Sequence, residues 1–285
     1  MSWVAGKLAI IGWPVSHSRS PLIHNYWLAA QGLPPLYEAY PIDPKDNFRA
    51  ALRGMADAGF VGANVTVPHK EAAFAAMDTL SPAAQILGAV NTISFENGRL
   101  QGDNTDGDGF LAGLDAACQR GAPDGNWQNA PALVLGAGGA ARAIIAALGR
   151  AGIDDIRLVN RTRDKAEALS GLASHITIGD WQDRAALADG CGLLVNTTSL
   201  GMTGQPPLEM PLDGLKSGAL VSDIVYTPLH TPLLRAAQAS GYIAVDGLGM
   251  LLHQAALSFE IWTGMRPHID DKLRALLVTD LVEKD

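Results

Sequence analysis

The chain has 285 residues, of which 48% are hydrophobic and 18% charged, and a net charge of −8. That length allows two cores, the hydrophobic share excludes long disorder, and an acidic chain without a long basic run is not built for nucleic acid. Cys118 and Cys191 stand in unrelated contexts, which excludes a disulfide framework or a paired-cysteine metal site. Both are expected as buried thiols in a reducing, cytoplasmic compartment. No run of about 18 apolar residues predicts a membrane span, and the N-terminal residues read as a strand rather than a signal peptide. The composition leaves a homodimer open.

In chain order, the sequence predicts a strand over 7–11 ending at Gly12, then a helix from Pro21 with Ser20 as its N-cap. A strand follows over 37–40, then an amphipathic helix over 44–58 closed by Gly59, then a short strand over 62–65 that turns into a helix at Pro68. Asn97-Gly98, flanked by strands over 91–95 and 99–101, is the strongest short hairpin signal. A helix over 105–120 leads into a polar, glycine-bearing stretch over 121–129, read as a linker. Strands at Leu133, Ile156, Leu193, Leu220 and Ile243 then alternate with helices, and helices over 248–263 and 270–281 close the chain. Such alternation predicts an α/β chain with a mostly parallel, doubly wound sheet.

Gly136-Ala137-Gly138-Gly139-Ala140-Ala141 lies between a strand over 132–135 and a helix over 140–150, and a second strand over 156–159 ends at Asn160-Arg161-Thr162-Arg163. Strand, glycine turn, helix, strand is the first unit of a dinucleotide-binding fold. The glycines let the backbone approach a pyrophosphate, which the helix N-terminus meets with free N–H groups and a partial positive charge. A carboxylate after the second strand would accept from a ribose 2′-hydroxyl, whereas guanidinium groups bind a 2′-phosphate. Arg161, directly after the strand, with Arg163 and Lys165 beyond it, therefore predicts NADP. The plainer alternative is a tight turn followed by a solvated basic loop; the strand and helix flanking the turn weigh against it.

Three stretches of the first half place polar residues at element ends. In His17-Ser18-Arg19-Ser20-Pro21, two hydroxyls stand at a helix N-terminus, a seat for a carboxylate, with plain capping by Ser20 as the alternative. His17 and His24 read as surface or packing histidines. In Asn64-Val65-Thr66-Val67-Pro68-His69-Lys70, Lys70 falls in a first helical turn, where the dipole disfavours a cation. Such a misplaced charge points to an anion partner or to proton transfer, against the alternative of a solvated lysine beside Glu71. In Gly102-Asp103-Asn104-Thr105-Asp106-Gly107-Asp108-Gly109, the spacing from Asn104 to Asp115 imitates a calcium loop, but Asn comes first, Asp stands where Glu closes such loops, and a hairpin precedes it. The alternative is that Asp106, at a helix start, pairs with Lys70 and holds a substrate hydroxyl.

Taken together, these stretches resemble the shikimate dehydrogenase family. The resemblance continues through Gly88-Ala89-Val90-Asn91-Thr92, the glycine turn, Asn160-Arg161-Thr162, Asn196-Thr197-Thr198-Ser199-Leu200-Gly201-Met202 and Asp246-Gly247-Leu248-Gly249-Met250-Leu251. It implies two α/β domains: a split substrate domain over 1–104 plus 247–285, and a Rossmann-like NADP domain with a doubly wound parallel sheet over 105–246. By that resemblance Lys70 would be the acid–base residue and Asp106 its partner. Ser18 and Ser20, with Tyr226, would bind the carboxylate of shikimate or 3-dehydroshikimate, and Asn64, Thr66, Asn91, Asp106 and Gln254 its hydroxyls. Gly136, Ala137, Gly138, Gly139, Ala140, Asn160, Arg161, Thr162, Arg163, Lys165 and Thr198 would bind NADP, with Ile224 and Gly247 near the nicotinamide. Lys165 departs from the arginine that some relatives carry, and His69 is assigned no role. The implied reaction is reversible NADPH-linked reduction of 3-dehydroshikimate to shikimate, in aromatic amino acid biosynthesis, with no metal required.

Three rivals stand beside it. A quinate/shikimate dehydrogenase of the same family would differ in substrate breadth, and the missing acidic residue after Val159 argues against an NAD-dependent one. A one-carbon folate dehydrogenase also joins a lysine-bearing domain to an NADP domain, but paired serines and Asp106 suit a small polyhydroxylated acid better than a pterin. A non-catalytic NADP-binding protein would have no use for both Lys70 and Asp106.

Overall fold

The computed structural model describes residues 6–121 and 127–284. Its described residues form two compact units: 6–105 with 254–277, and 106–253 with 278–284. The strand expected to begin the chain starts at Lys7; residues 1–5 lie outside the described residues.

Unit 1 holds strands β1 (Lys7–Gly12), β2 (Tyr37–Pro41), β3 (Phe60–Val65), β4 (Thr79–Leu80), β5 (Thr92–Glu96) and β6 (Arg99–Asp103), and helices α1 (Ser20–Ala30), α2 (Phe48–Asp57), α3 (Lys70–Ala76) and α4 (Pro82–Leu87). The sheet runs β2-β1-β3-β5-β6-β4. β1 is parallel to β2 and β3, while β5 is antiparallel to both β3 and β6. Asn97 and Gly98, both at positive φ (50° and 72°), close the β5–β6 hairpin as its two-residue loop. One face of the sheet packs Ala9, Ile11, Ala63 and Ile93 against Leu52 and Met55 of α2 and Ala73 of α3.

Helix starts differ from expectation: α3 begins at Lys70 rather than Pro68, and α1 and α2 differ for a visible reason. Ser20 is the first residue of α1 rather than its cap; the Ser18 hydroxyl accepts from the Ser20 N–H at 3.2 Å instead. α2 begins at Phe48, not at residue 44, because the Asn47 side chain accepts from the Ala50 N–H at 3.1 Å and so caps the helix later. β4 and α4 had not been expected.

Unit 2 begins with helix α5 (Asp106–Gly121). A continuous helix from Asp106 cannot wrap an ion, which rules out the calcium-loop reading of 104–115. The expected linker over 121–129 falls largely outside the described residues; its last part, Trp127–Asn129, is a 3-10 turn whose Trp127 is buried in the core. Strands β7 (Ala132–Leu135), β8 (Ile156–Asn160), β9 (Ile176–Asp180), β10 (Leu193–Asn196), β11 (Leu220–Asp223) and β12 (Ile243–Val245) follow, with helices α6 (Gly139–Arg150), α7 (Arg163–Glu167), α8 (Arg184–Leu187) and α9 (Pro232–Ala239) among them. The sheet is parallel throughout, in the order β12-β11-β10-β7-β8-β9. β9 is absent from the expectation. It is an edge strand in which no residue is fully buried, so Ile176 and Ile178 alone carry its pattern.

Apolar residues cover both faces of this sheet: Val134, Leu158 and Val195 pack on Ile144 and Leu148 of α6, and Leu133, Leu194 and Val221 on Leu233 and Ala237 of α9. Burial on both sides is why β7 and the first three residues of β10 read as continuous apolar runs. Helices α10 (Gly247–Thr263) and α11 (Asp271–Lys284) end the chain. The start of α10 stays with unit 2: a Cβ on Gly113 of α5 would lie 3.0 Å from the backbone of Gly249 and Met250.

Candidate active site and dinucleotide site

In unit 1 the expected substrate residues gather at the C-terminal ends of β1 and β3 and around Asn91. β1 and β3 approach closely there: the Thr66 N–H donates to Ile11 O at 2.8 Å, and a Cβ on Gly12 would lie 2.6 Å from the Thr66 methyl. Glycine at position 12 is what lets Thr66 come that near. Asn91 is the hub. Its Oδ1 accepts from the Thr105 N–H at 2.9 Å and from the Thr92 hydroxyl at 2.8 Å, while its Nδ2 donates to Thr105 Oγ1 at 3.0 Å and to Gln254 Oε1 at 3.4 Å.

Lys70, half-buried as the first residue of α3, is held beside this hub, since its carbonyl accepts from the Val90 N–H at 2.9 Å. Asp106 follows Thr105 directly, is buried, and opens α5, where the helix N-terminus favours a carboxylate. The anion is thus the chain neighbour of Thr105, and the cation is hydrogen-bonded through its backbone to Val90, the chain neighbour of Asn91.

Asn64 is buried, and its amide serves other protein groups. Tyr37 donates its phenol hydrogen to Asn64 Oδ1 at 2.8 Å, and Asn64 Nδ2 donates to Ser258 Oγ at 2.9 Å and Asn91 O at 3.2 Å. Burial holds the Tyr37 phenol well above its ordinary pKa, with a hydrogen bond to Ser20 pulling the other way. Tyr37, Thr92, Thr105 and Ser258 had not been expected at this site. Ser258 was readable, since it stands one helical turn beyond Gln254 on α10 and so shares its face. His17 is exposed, whereas His24 is fully buried and stacks on the Tyr37 ring at 4.2 Å. His69 is a packing residue: its Nε2 lies 2.7 Å from Ile42 O and its ring stacks on Phe48.

Unit 2 carries the glycine turn between β7 and α6. Gly136 has φ +104°, and a Cβ there would lie 2.6 Å from Thr197 Oγ1. Gly138 and Gly139 are exposed, and a Cβ on either would meet nothing within 4 Å. No side chain caps α6 at Gly138, so its first N–H groups face an open approach. A pyrophosphate fits such donors.

After β8, the Asn160 amide donates to Thr162 O at 2.8 Å and shapes the loop. Arg163 is committed to Glu167 and Asp180, each at 2.9 Å, and these carboxylates raise its pKa. Arg161 and Lys165 are exposed and, among the described residues, have no ion-pair partner. A 2′-phosphate fits these two cations.

Thr198 sits past the end of β10, where its hydroxyl donates to Asn196 Oδ1 at 2.7 Å. Ile224 meets Gly247 closely, since a Cβ on Gly247 would lie 2.3 Å from the Ile224 carbonyl oxygen. Tyr226 is half-buried in the loop after β11.

Taking its strands in chain order as first to sixth, the unit 2 sheet runs sixth-fifth-fourth-first-second-third. With a glycine turn after its first strand and cations after its second, it defines the dinucleotide-binding class of α/β proteins. Family models match 10–93 as a shikimate dehydrogenase substrate binding domain, 119–195 as shikimate / quinate 5-dehydrogenase, and 247–277 as a shikimate 5'-dehydrogenase C-terminal domain. The chain is 50% identical over 283 residues to a shikimate dehydrogenase (NADP(+)) of Methylobacterium radiotolerans, covering 99% of each chain. It belongs to the shikimate dehydrogenase family.

Two solved structures bracket its variety. Shikimate 5-dehydrogenase from Thermus thermophilus, in complex with NADP(H) and shikimate, is 38% identical with a TM-score of 0.84, covering 97% of this chain and 100% of that one. Quinate dehydrogenase from Corynebacterium glutamicum, in complex with NAD, is 28% identical with a TM-score of 0.87, covering 96% and 99%.

Proposed function

We propose that this chain catalyses the reversible NADPH-linked reduction of 3-dehydroshikimate to shikimate, with unit 1 binding the substrate and unit 2 the cofactor. The observation that carries the reading is the Asn91 hub: Asn91 accepts from the N–H of Thr105, the residue before Asp106, and its chain neighbour Val90 donates to the Lys70 carbonyl. The near-full-length relationship to an NADP(+)-named enzyme supports the same reaction, and Arg161 and Lys165, without an ion-pair partner among the described residues, support the same cofactor.

NADPH, when bound, supplies the hydride. The protein's part is orientation and electrostatics. Ser18 and Ser20 bind the substrate carboxylate, and Thr66, Asn91 and Gln254 its ring hydroxyls. Asn64 contributes through its hold on Asn91 and Ser258. As negative charge develops on the 3-keto oxygen, the Lys70 ammonium stabilises it and delivers its proton, with the Asp106 carboxylate as its partner. In the reverse direction Lys70 accepts that proton. Two free thiols suit a cytoplasmic enzyme.

Absorbance at the NADPH band, with shikimate and NADP+ supplied, tests the reaction; rates with quinate and NAD+ test the rival family activity. Lys70→Ala is expected to lower kcat by about a hundredfold or more, the usual share of a positioned acid–base group, while NADPH binds as before. Turnover unchanged by that substitution would remove Lys70 from the chemistry.

A further inference from the structure

We infer that Asp223 is a positioning residue for the cofactor: its buried carboxylate locks the loop carrying Thr198 to the loop carrying Ile224. The inference rests on the reading of unit 2 as the NADP-binding unit. Asp223 ends β11 and has no exposed surface. Its Oδ1 accepts from Asn196 Nδ2 at 2.9 Å and from the Val225 N–H at 3.1 Å, and its Oδ2 accepts from the Thr231 hydroxyl at 2.7 Å.

Asn196 ends the neighbouring strand β10 and is equally buried. Its Nδ2 also donates to Leu200 O at 3.1 Å, and its Oδ1 accepts from the Thr198 N–H at 3.0 Å and the Thr198 hydroxyl at 2.7 Å. Because the carboxylate can only accept, it fixes which way the Asn196 amide faces, and the amide in turn fixes Thr198. The Val225 contact fixes the backbone directly after Ile224. These loops leave the C-terminal ends of adjacent parallel strands, which is where open α/β sheets bind ligands.

Simple capping of α9 through Thr231 accounts for one of the three bonds and leaves the other two without a purpose. An apolar pair would join two strand ends without the cost of a buried charge, so the polar chain is useful for the directions it imposes. The three donors around Asp223 make the carboxylate specific: Asp223→Asn would point an amide N–H at a donor.

The test is direct titration of NADPH into the whole protein and its variants, with thermal melts alongside. Asp223→Asn is expected to raise the NADPH dissociation constant by about fivefold or more, the loss of one or two directed hydrogen bonds. Thr231→Val removes the bond to α9 but leaves the Asn196 branch, so it is expected to lower the melting temperature and bind NADPH within about twofold of the unaltered protein. If Asp223→Asn does not fold, Asn196→Ala carries the same expectation for NADPH. Tight NADPH binding by the Asp223 or Asn196 variant would overturn the inference, as would equal weakening by Thr231→Val, which would mark a purely structural role. An unaltered protein that fails to bind NADPH would instead refute the reading of unit 2, and the inference with it.

Discussion

Lys70 and Asp223 show the two ways a functional residue reaches the eye. Lys70 was legible because its charge conflicts with its place: a cation in a first helical turn needs a reason beyond local stability. Asp223 ends an apolar run as an ordinary strand-terminating aspartate would, and its ring of donors comes from residues Asn196, Val225 and Thr231 that only folding assembles. Tyr37 escaped notice for the same reason, as its partner Asn64 is remote in sequence. His24 adds a measurable consequence. Burial lowers its pKa from 6.5 to about 3. A depressed pKa means that folding excludes the proton. The stability this contributes is complete above pH 6.5 and is lost as pH falls toward 3, at up to about 1.4 kcal/mol per pH unit. Urea unfolding at pH 7 and pH 5 should therefore show the unaltered protein losing about 1–2 kcal/mol more than His24→Leu. Parallel losses in the two proteins would mean that His24 titrates normally.

Elements were legible where both faces are buried or a turn demands glycine, and obscure at edges. The strands β7 and β10 announce themselves as apolar runs, whereas β9 lies at the edge with no fully buried residue and its register is set by β8 rather than by its own pattern. The glycine turn was legible as a unit, but its glycines have different tasks that the sequence does not separate. Gly136 is strained for any other residue, by φ +104° and by Thr197 Oγ1 at 2.6 Å from a Cβ, whereas Gly138 has φ −90° and open space. Gly136→Ala should therefore cost about 2–4 kcal/mol of unit 2 stability through backbone strain and overpacking. Gly138→Ala should leave stability within about 0.5 kcal/mol yet weaken NADPH by placing a methyl before the α6 N–H groups. Melting and NADPH titration of both variants separate the tasks. A Gly138→Ala protein that binds NADPH normally would move the pyrophosphate away from this turn.

At the scale of the whole molecule, chain order and spatial order part company. Unit 1 takes its sheet from the first 105 residues and its closing helix from residues after 253, so Ser258 hydrogen-bonds to Thr92 at 2.7 Å and Trp262 Nε1 donates to Ile93 O at 2.9 Å. This return was suggested by the family resemblance rather than by any local pattern, since a helix does not reveal in its own sequence which sheet it will cover. Two units with separate cores imply two ligand-linked stabilities. A ligand present at about 100 times its dissociation constant stabilises the unit that binds it by about 2.7 kcal/mol, which raises a melting temperature by several degrees. NADP+ alone should protect the backbone amides of β7–β12 from hydrogen exchange and raise the melting of unit 2, and shikimate alone should protect the ends of β1 and β3 and the stretch around Asn91. Exchange measured peptide by peptide assigns each effect to its unit. Protection of β1–β6 by NADP+ alone, with β7–β12 unchanged, would reverse the assignment of cofactor and substrate to the two sheets.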